Sequence, residues 1–124
     1  MKDTPPSILI RVHNDVSGDD LMPLLLGIEE EGVPVEVSRH NELNPLRLAH
    51  AAAIESRLGI GIGVALEYVV ITTEKLPEDQ PYIARLLSEV DGRLFGGNAA
   101  RVVKRVPLRS VTRTTTTELR ERNH

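Results

Sequence analysis

Residues 58–66 read Leu-Gly-Ile-Gly-Ile-Gly-Val-Ala-Leu, with no polar or charged side chain, and after one glutamate Tyr68-Val-Val-Ile-Thr72 follows. The first run is far short of the roughly 20 residues a membrane-crossing helix requires. Gly61–Leu66 and Tyr68–Thr72 read instead as inner strands, continuously apolar because both faces of the sheet are covered. The glycines Gly59, Gly61 and Gly63 let a helix pack closely against the sheet. A dinucleotide-binding reading of the same glycines fails twice: the third-glycine position after Gly61-x-Gly63 is Leu66, and the run leaves a helix to enter a strand, the reverse of a pyrophosphate loop.

The neighbouring segments complete a layered pattern. Ser7–Val12 is a β-branched first strand, and Asn14–Asp20 offers turn residues and helix caps. Leu21–Glu31 carries Leu21, Leu24, Leu25 and Ile28 at amphipathic helix spacing, with Pro23 in the first turn and Gly32 as the stop. Val33–Val37 is a second strand. Asn44 caps a helix that has Pro45 at its first position and runs to Leu58. Glu74–Pro81 reads as loop and Tyr82–Ser88 as a short helix. After the pair Gly96-Gly97, Asn98 caps a last helix that runs through Lys104 and is ended by Pro107. The order predicts an α/β fold: a single layered domain over residues 7–108, with a mainly parallel sheet and flanking helices. Residues 1–6 and 109–124 are polar and are expected to form a mobile N-terminus and a disordered tail.

Composition narrows the function. With 124 residues there is room for one domain. Only Phe95, Tyr68 and Tyr82 are aromatic, so the core is aliphatic and bases have little to stack on. The net charge of −3 gives no basic footprint for nucleic acid. The absence of cysteine removes thiol catalysis, thiolate metal sites and disulfides, and it suits a cytoplasmic location. No signal peptide or membrane span is expected.

Motifs for chemistry are mostly missing. No serine has the flanking glycines of a nucleophile elbow, and neither His-Glu-x-x-His nor a Gly-x-x-x-x-Gly-Lys phosphate loop occurs. His13, Asn14 and Asp15 follow the first strand, where open α/β sheets place ligand crevices. One histidine and one carboxylate there suit either acid–base work or a solvated turn. His40 and His50 lack metal-ligand spacing, and His124 lies in the tail.

The segment Gly27-Ile28-Glu29-Glu30-Glu31-Gly32 is more informative. Three carboxylates occupy the last turn of the first helix, where the macrodipole is negative and each costs about 0.3–1 kcal/mol unless solvent or cations relieve it. At ~100° per residue, Glu30 stands about 180° from Leu21, opposite the core stripe, with Leu26 and Gly27 on either side. Charge runs are ordinarily solvated faces. An exposed leucine and a glycine beside a badly placed acid cluster suit a docking face equally well, with a cation or a partner's Lys or Arg neutralising Glu30. The stretch from Gly96 to Leu108 combines a glycine pair, small residues, and Arg101, Lys104 and Arg105, which favour the C-terminal dipole. A surface helix closing the sheet accounts for its stability but not for so many small residues.

Two segments, Leu25-Leu-Gly-Ile-Glu-Glu-Glu-Gly-Val-Pro34 and Gly97-Asn-Ala-Ala-Arg-Val-Val-Lys-Arg-Val-Pro107, resemble the small subunit of diol or glycerol dehydratase reactivases, as does the strand pair ending in Leu76-Pro77. The Gly-x-Gly-x-Gly run and the Thr-rich tail depart from that pattern. The resemblance implies a fold like that of the dehydratase medium subunit and a chaperone-like role without catalysis. It implies a large ATPase subunit as partner, commonly in a heterotetramer, and the large subunit of an adenosylcobalamin-dependent diol or glycerol dehydratase as partner during exchange. The small subunit would replace the dehydratase medium subunit and let damaged cobalamin escape, with cobalamin and ATP handled by the partners and no cofactor bound by this chain alone. It further implies that Glu30 supplies a ligand to Mg²⁺ at the interface with the large subunit, and that Asn98 and Arg101 have structural or interface roles beside the interface candidates Leu26, Gly27, Glu29 and Glu31. Propanediol or glycerol utilisation in the cytoplasm, in some systems at a bacterial microcompartment, is the setting it implies. A medium-subunit-like component of the dehydratase itself is the nearest alternative, disfavoured by the shortness of this chain. A flavodoxin-like small-ligand domain using the His13–Asp15 crevice is the other.

Overall fold

Strand-forming runs and amphipathic helices alternate over the first half of the chain and then give way to a meander. The structure, a computed structural model, describes residues 6–104. In chain order it contains β1 (Ile8–His13), α1 (Gly18–Glu30), β2 (Val35–His40), α2 (Pro45–Glu55), β3 (Ile60–Ala65), β4 (Tyr68–Thr73), β5 (Ile83–Leu86), a 3₁₀ turn at Leu87–Glu89, and α3 (Gly92–Lys104). The five strands form one sheet in the order β2-β1-β3-β4-β5. The expected tails, apart from Pro6, and the stop at Pro107 lie outside the described residues.

The sheet is mixed, which corrects the expectation of a mainly parallel one. β1 pairs in parallel with β2 and with β3, whereas β3/β4 and β4/β5 are antiparallel. The reason is the connection after β3. Leu66 and Glu67 alone link Ala65 to Tyr68, with φ of +51° and +66°, and two residues can close a hairpin but cannot make the crossover that a parallel partner needs. The expected short helix at Tyr82–Ser88 is also corrected. Residues 83–86 pair with the open edge of β4, Ile83 opposite Ile71, and only the next three form a 3₁₀ turn.

The sheet separates two layers. Ile8, Ile10, Val12, Ile62, Val64, Val69 and Ile71 face a core closed by Leu21, Leu24 and Ile28 of α1 and Phe95, Ala99 and Ala100 of α3. On the other face α2 lies across β1, β3 and β4. There the glycines of β3 do what close packing requires: a Cβ at Gly61 would stand 2.2 Å from the Ala53 nitrogen, and one at Gly63 would stand 2.3 Å from the Pro45 carbonyl oxygen. The buried Ala49, Ala52 and Ala53 complete that contact.

Helix starts follow their caps. Asn44 caps α2 through its side chain, as its sequence indicates, and α2 stops at Glu55. The Ser56 hydroxyl donates to the Ser7 carbonyl at 2.5 Å, which ties the end of α2 to the start of β1. Helix α1 begins earlier than expected: Ser17 caps it, Asp19 and Asp20 occupy the positive first turn, and Pro23 falls inside the helix. Helix α3 begins earlier still. Asp91 Oδ1 accepts from the backbone nitrogens of Arg93 and Leu94 at 3.0 and 3.2 Å. Asn98 is therefore not a cap but a buried residue within the helix. Glycines ordinarily weaken helix interiors, and here Gly96 and Gly97 remain helical because α1 crosses α3 at their backbone.

Candidate functional site

The crossing of α1 and α3 builds the site. A Cβ at Gly27 would lie 2.0 Å from the Arg93 carbonyl oxygen, and one at Gly96 would lie 2.1 Å from the Leu24 carbonyl oxygen. The helices thus touch backbone to backbone, and the carboxylates ending α1 come within reach of the cations on α3. Gly27 is accordingly buried against α3, which corrects its placement on an open outer side.

Glu30 stays half-exposed and is gripped by Arg93. Arg93 Nε donates to Glu30 Oε1 at 2.6 Å, and Nη2 donates to Oε2, a two-pronged pair on both carboxylate oxygens. The hydrogen bond and charge of Glu30 raise the Arg93 pKa. Glu31, the C-cap of α1, receives Arg101 Nη2 at 2.9 Å and Lys104 Nζ at 3.3 Å. Desolvation pushes the Glu31 carboxyl pKa up, but the Lys104 hydrogen bond and the charges of Arg101 and Lys104 together outweigh it and leave the pKa lowered. These three cations offset the unfavourable C-terminal dipole that the carboxylates meet.

A folded-state value below the unfolded one contributes stability above the ordinary carboxylate range and loses it as pH falls through the lowered value. Melting temperatures of the native chain and Glu31→Gln are therefore expected to differ near neutrality and to converge in acid. Parallel curves at every pH would remove Glu31 from the account.

The interface candidates divide. Leu26 is 45% exposed, and Met22, one turn earlier, is 53% exposed. Glu29 is exposed, and with Glu30 these residues make an apolar strip bordered by acid on the solvent side of α1. Asn98 is buried within α3 and Arg101 is largely buried, its guanidinium on Glu31 at the end of α1. Gly27, Glu30, Glu31, Asp91, Arg93 and Gly97 line a shallow cavity of ≈ 390 Å³. Sequence reasoning missed Arg93, Asp91 and Met22. Arg93, Arg101 and Lys104 share one helix face, at about 0°, 80° and 20° on a wheel, but that face was legible only had the helix been started at Gly92.

Among the described residues no cluster of three or more His, Asp or Glu could hold a metal alone. The residues present fit a hard cation in one way: Glu30 offers one half-exposed oxygen ligand to a coordination sphere completed elsewhere. The other candidate place is the crevice at the ends of β1 and β3. His13 and Asp15 line it, with Asp15 N donating to His13 Nδ1 at 3.1 Å, so the ring nitrogen is already engaged by its own turn. Among the described residues no helix is long and apolar enough to cross a membrane.

Comparison with known proteins gives this geometry its context. The dehydratase medium subunit family model matches residues 5–109. The propanediol dehydratase-reactivating factor small subunit of Citrobacter freundii is 36% identical over 111 residues, covering 86% of this chain and 92% of the relative. The diol dehydratase-reactivating factor small subunit of Klebsiella michiganensis is 35% identical over 116 residues, 91% of each. Among solved structures, a chain of diol dehydratase-reactivating factor complexed with ADP and Mg²⁺ superposes with a TM-score of 0.80 at 32% identity, covering 86% of this chain and all of that one. A glycerol dehydratase reactivase chain gives 0.79 at 29% identity, covering 86% and 98%. By sequence over nearly all of the folded part, and by fold, this chain belongs to the dehydratase medium subunit family, among the small subunits of diol dehydratase-reactivating factors.

Proposed function

We propose that this chain is the exchangeable, non-catalytic small subunit of a reactivating factor for an adenosylcobalamin-dependent diol or glycerol dehydratase. It assembles with a large ATPase subunit and, during reactivation, takes the place of the dehydratase medium subunit against the dehydratase large subunit, so that damaged cobalamin can leave. Cobalamin and ATP are handled by the partners, in the cytoplasm. The observation that carries this reading is the solvent side of α1, where Met22 and Leu26 stand exposed beside the half-exposed Glu30 carboxylate.

Glu30 supplies one ligand to Mg²⁺ at the interface with the large subunit. Mg²⁺ takes oxygen ligands at about 2.1 Å and keeps part of its shell from elsewhere, which matches a single carboxylate presented in trans. Met22, Leu26 and Glu29 surround that contact. Gly27, Glu31, Asn98 and Arg101 act one step back, by holding α1 against α3 so that Glu30 projects from a rigid helix end.

Glu30→Gln keeps the side chain's size and removes its charge. In co-purification with the large subunit, the variant is expected to weaken assembly on the order of tenfold or more at millimolar Mg²⁺, since even supporting groups of metal sites cost that much when removed. At chelated Mg²⁺ the variant and the native chain are expected to bind alike. Equal retention of both at each metal level would defeat the metal-ligand assignment.

A further inference from the structure

We infer that Arg93 is a latch on Glu30, holding the carboxylate in the free chain and releasing it to the interface cation on assembly. The inference rests on the reading of Glu30 as a ligand in trans and adds how that ligand is controlled.

Three observations carry it. Arg93 engages both Glu30 oxygens, Nε on Oε1 and Nη2 on Oε2, so no oxygen of the carboxylate is clear of the guanidinium. A divalent cation at about 2.1 Å from either oxygen would press a second positive centre against the first across one carboxylate, and like charges that close repel. The pair also lies in the open, with 61% of the Arg93 side chain and 45% of the Glu30 side chain exposed. Exposed ion pairs contribute little to stability, so this one can be exchanged without disturbing the fold. Finally, the guanidinium has a second anion at hand. Asp91 lines the same cavity and adds its charge to that of Glu30 at Arg93.

The two positively charged groups therefore compete for one carboxylate, and a displaced Arg93 stays in an open cavity that Asp91, the cap of α3, also lines. The arrangement differs from that of Glu31, whose partner Arg101 is only 16% exposed and packed into the α1/α3 contact; that pair is built to stay. A latch of this kind tempers the affinity of assembly and returns a counter-ion to Glu30 when the subunit departs. Both suit a subunit that must exchange partners rather than bind one permanently.

The test is an Mg²⁺ titration of assembly between the full chain and its large subunit, followed by sedimentation or surface binding, with no catalytic readout. Arg93→Ala is expected to lower the Mg²⁺ concentration at half-assembly about fivefold, the scale of losing one exposed ion pair. Arg93→Gln, which keeps most of the stem and the helix start, is expected to do the same, and Arg93→Lys to stay near the native midpoint. In a Glu30→Gln background the Arg93 substitutions are expected to have no effect. An unchanged or raised midpoint in both Arg93→Ala and Arg93→Gln, with Glu30→Gln still impairing assembly, overturns the latch and leaves the ligand reading standing. If Glu30→Gln leaves the Mg²⁺ dependence untouched, the ligand reading is wrong and the latch falls with it. A gain of affinity on removing a side chain is an outcome that a merely structural role for Arg93 does not produce.

Discussion

Gly61→Ala, a change of one methyl group, is expected to lower stability by about 3 kcal/mol or more, the upper range for overpacking a core. The new carbon would stand 2.2 Å from the Ala53 nitrogen and 2.4 Å from the Ala49 carbonyl oxygen. Both are backbone atoms in α2, so relief requires lifting the helix from the sheet rather than turning a side chain. In a domain of about 100 residues such a loss corresponds to a fall in Tm on the order of 15 °C. Gly18→Ala is the matched control. Gly18 begins α1 with nothing within 4 Å of its would-be Cβ, and alanine there is expected to be neutral or stabilising by up to about 1 kcal/mol. Thermal denaturation of both variants checks the pair. Similar melting temperatures would mean that α2 does not rest on the Gly61 backbone.

The adjacent glycines of α3 provide the second large contrast. A Cβ at Gly96 would meet the Leu24 carbonyl oxygen at 2.1 Å and the Ile28 nitrogen at 3.2 Å, whereas one at Gly97 would find only the Gly27 oxygen, at an ordinary 3.7 Å. Gly96→Ala is expected to cost about 3 kcal/mol and to spread α1 from α3. Gly97→Ala is expected to be tolerated, and it gains up to about 1 kcal/mol of helix propensity. The consequence extends to assembly, because the crossing fixes the end of α1 from which Glu30 projects. Gly96→Ala is expected to lose binding to the large subunit even at temperatures where the variant remains folded, and Gly97→Ala to retain it. Equal behaviour of the two variants in denaturation and in co-purification would show that the crossing is looser than its geometry.

Much of this architecture is legible in the sequence because it depends on local periodicity. Leu21, Leu24 and Ile28 mark the buried stripe of α1 by spacing alone, and all three are buried. Asn44-Pro45 marks the start of α2 for reasons of capping and fixed φ that need no tertiary information. Gly61 and Gly63 indicate close helix packing once their order rules out a phosphate loop, whereas Gly59, read the same way, instead makes a turn at φ +73° against Glu74. The acidic end of α1 is visible because three carboxylates against a helix dipole are an anomaly wherever the helix sits.

Other features depend on which surfaces meet. Gly96 and Gly97 look like a break in the sequence, and a helix through them becomes favourable only when Leu24 and Gly27 of α1 arrive at their backbone. Residues 83–86 have too weak a pattern to choose between helix and strand, and the open edge of β4 chooses for them. Arg93 and Glu30 are 63 residues apart, a separation at which no periodicity links one charge to another.

The sequence by itself determined the layered α/β class, the buried face of the first helix, the capped start of the second and the strands that must lie inside, because each follows from the chemistry of neighbouring residues. Only the tertiary structure decided that half of the strand pairings are antiparallel, that α3 starts at Gly92, and that the carboxylates ending α1 find their counter-charges on α3. The pairing follows from the two-residue link after β3 and the open edge of β4, the start of α3 follows from the Asp91 cap, and the counter-charges depend on how closely two glycine-bearing helices far apart in the chain can approach.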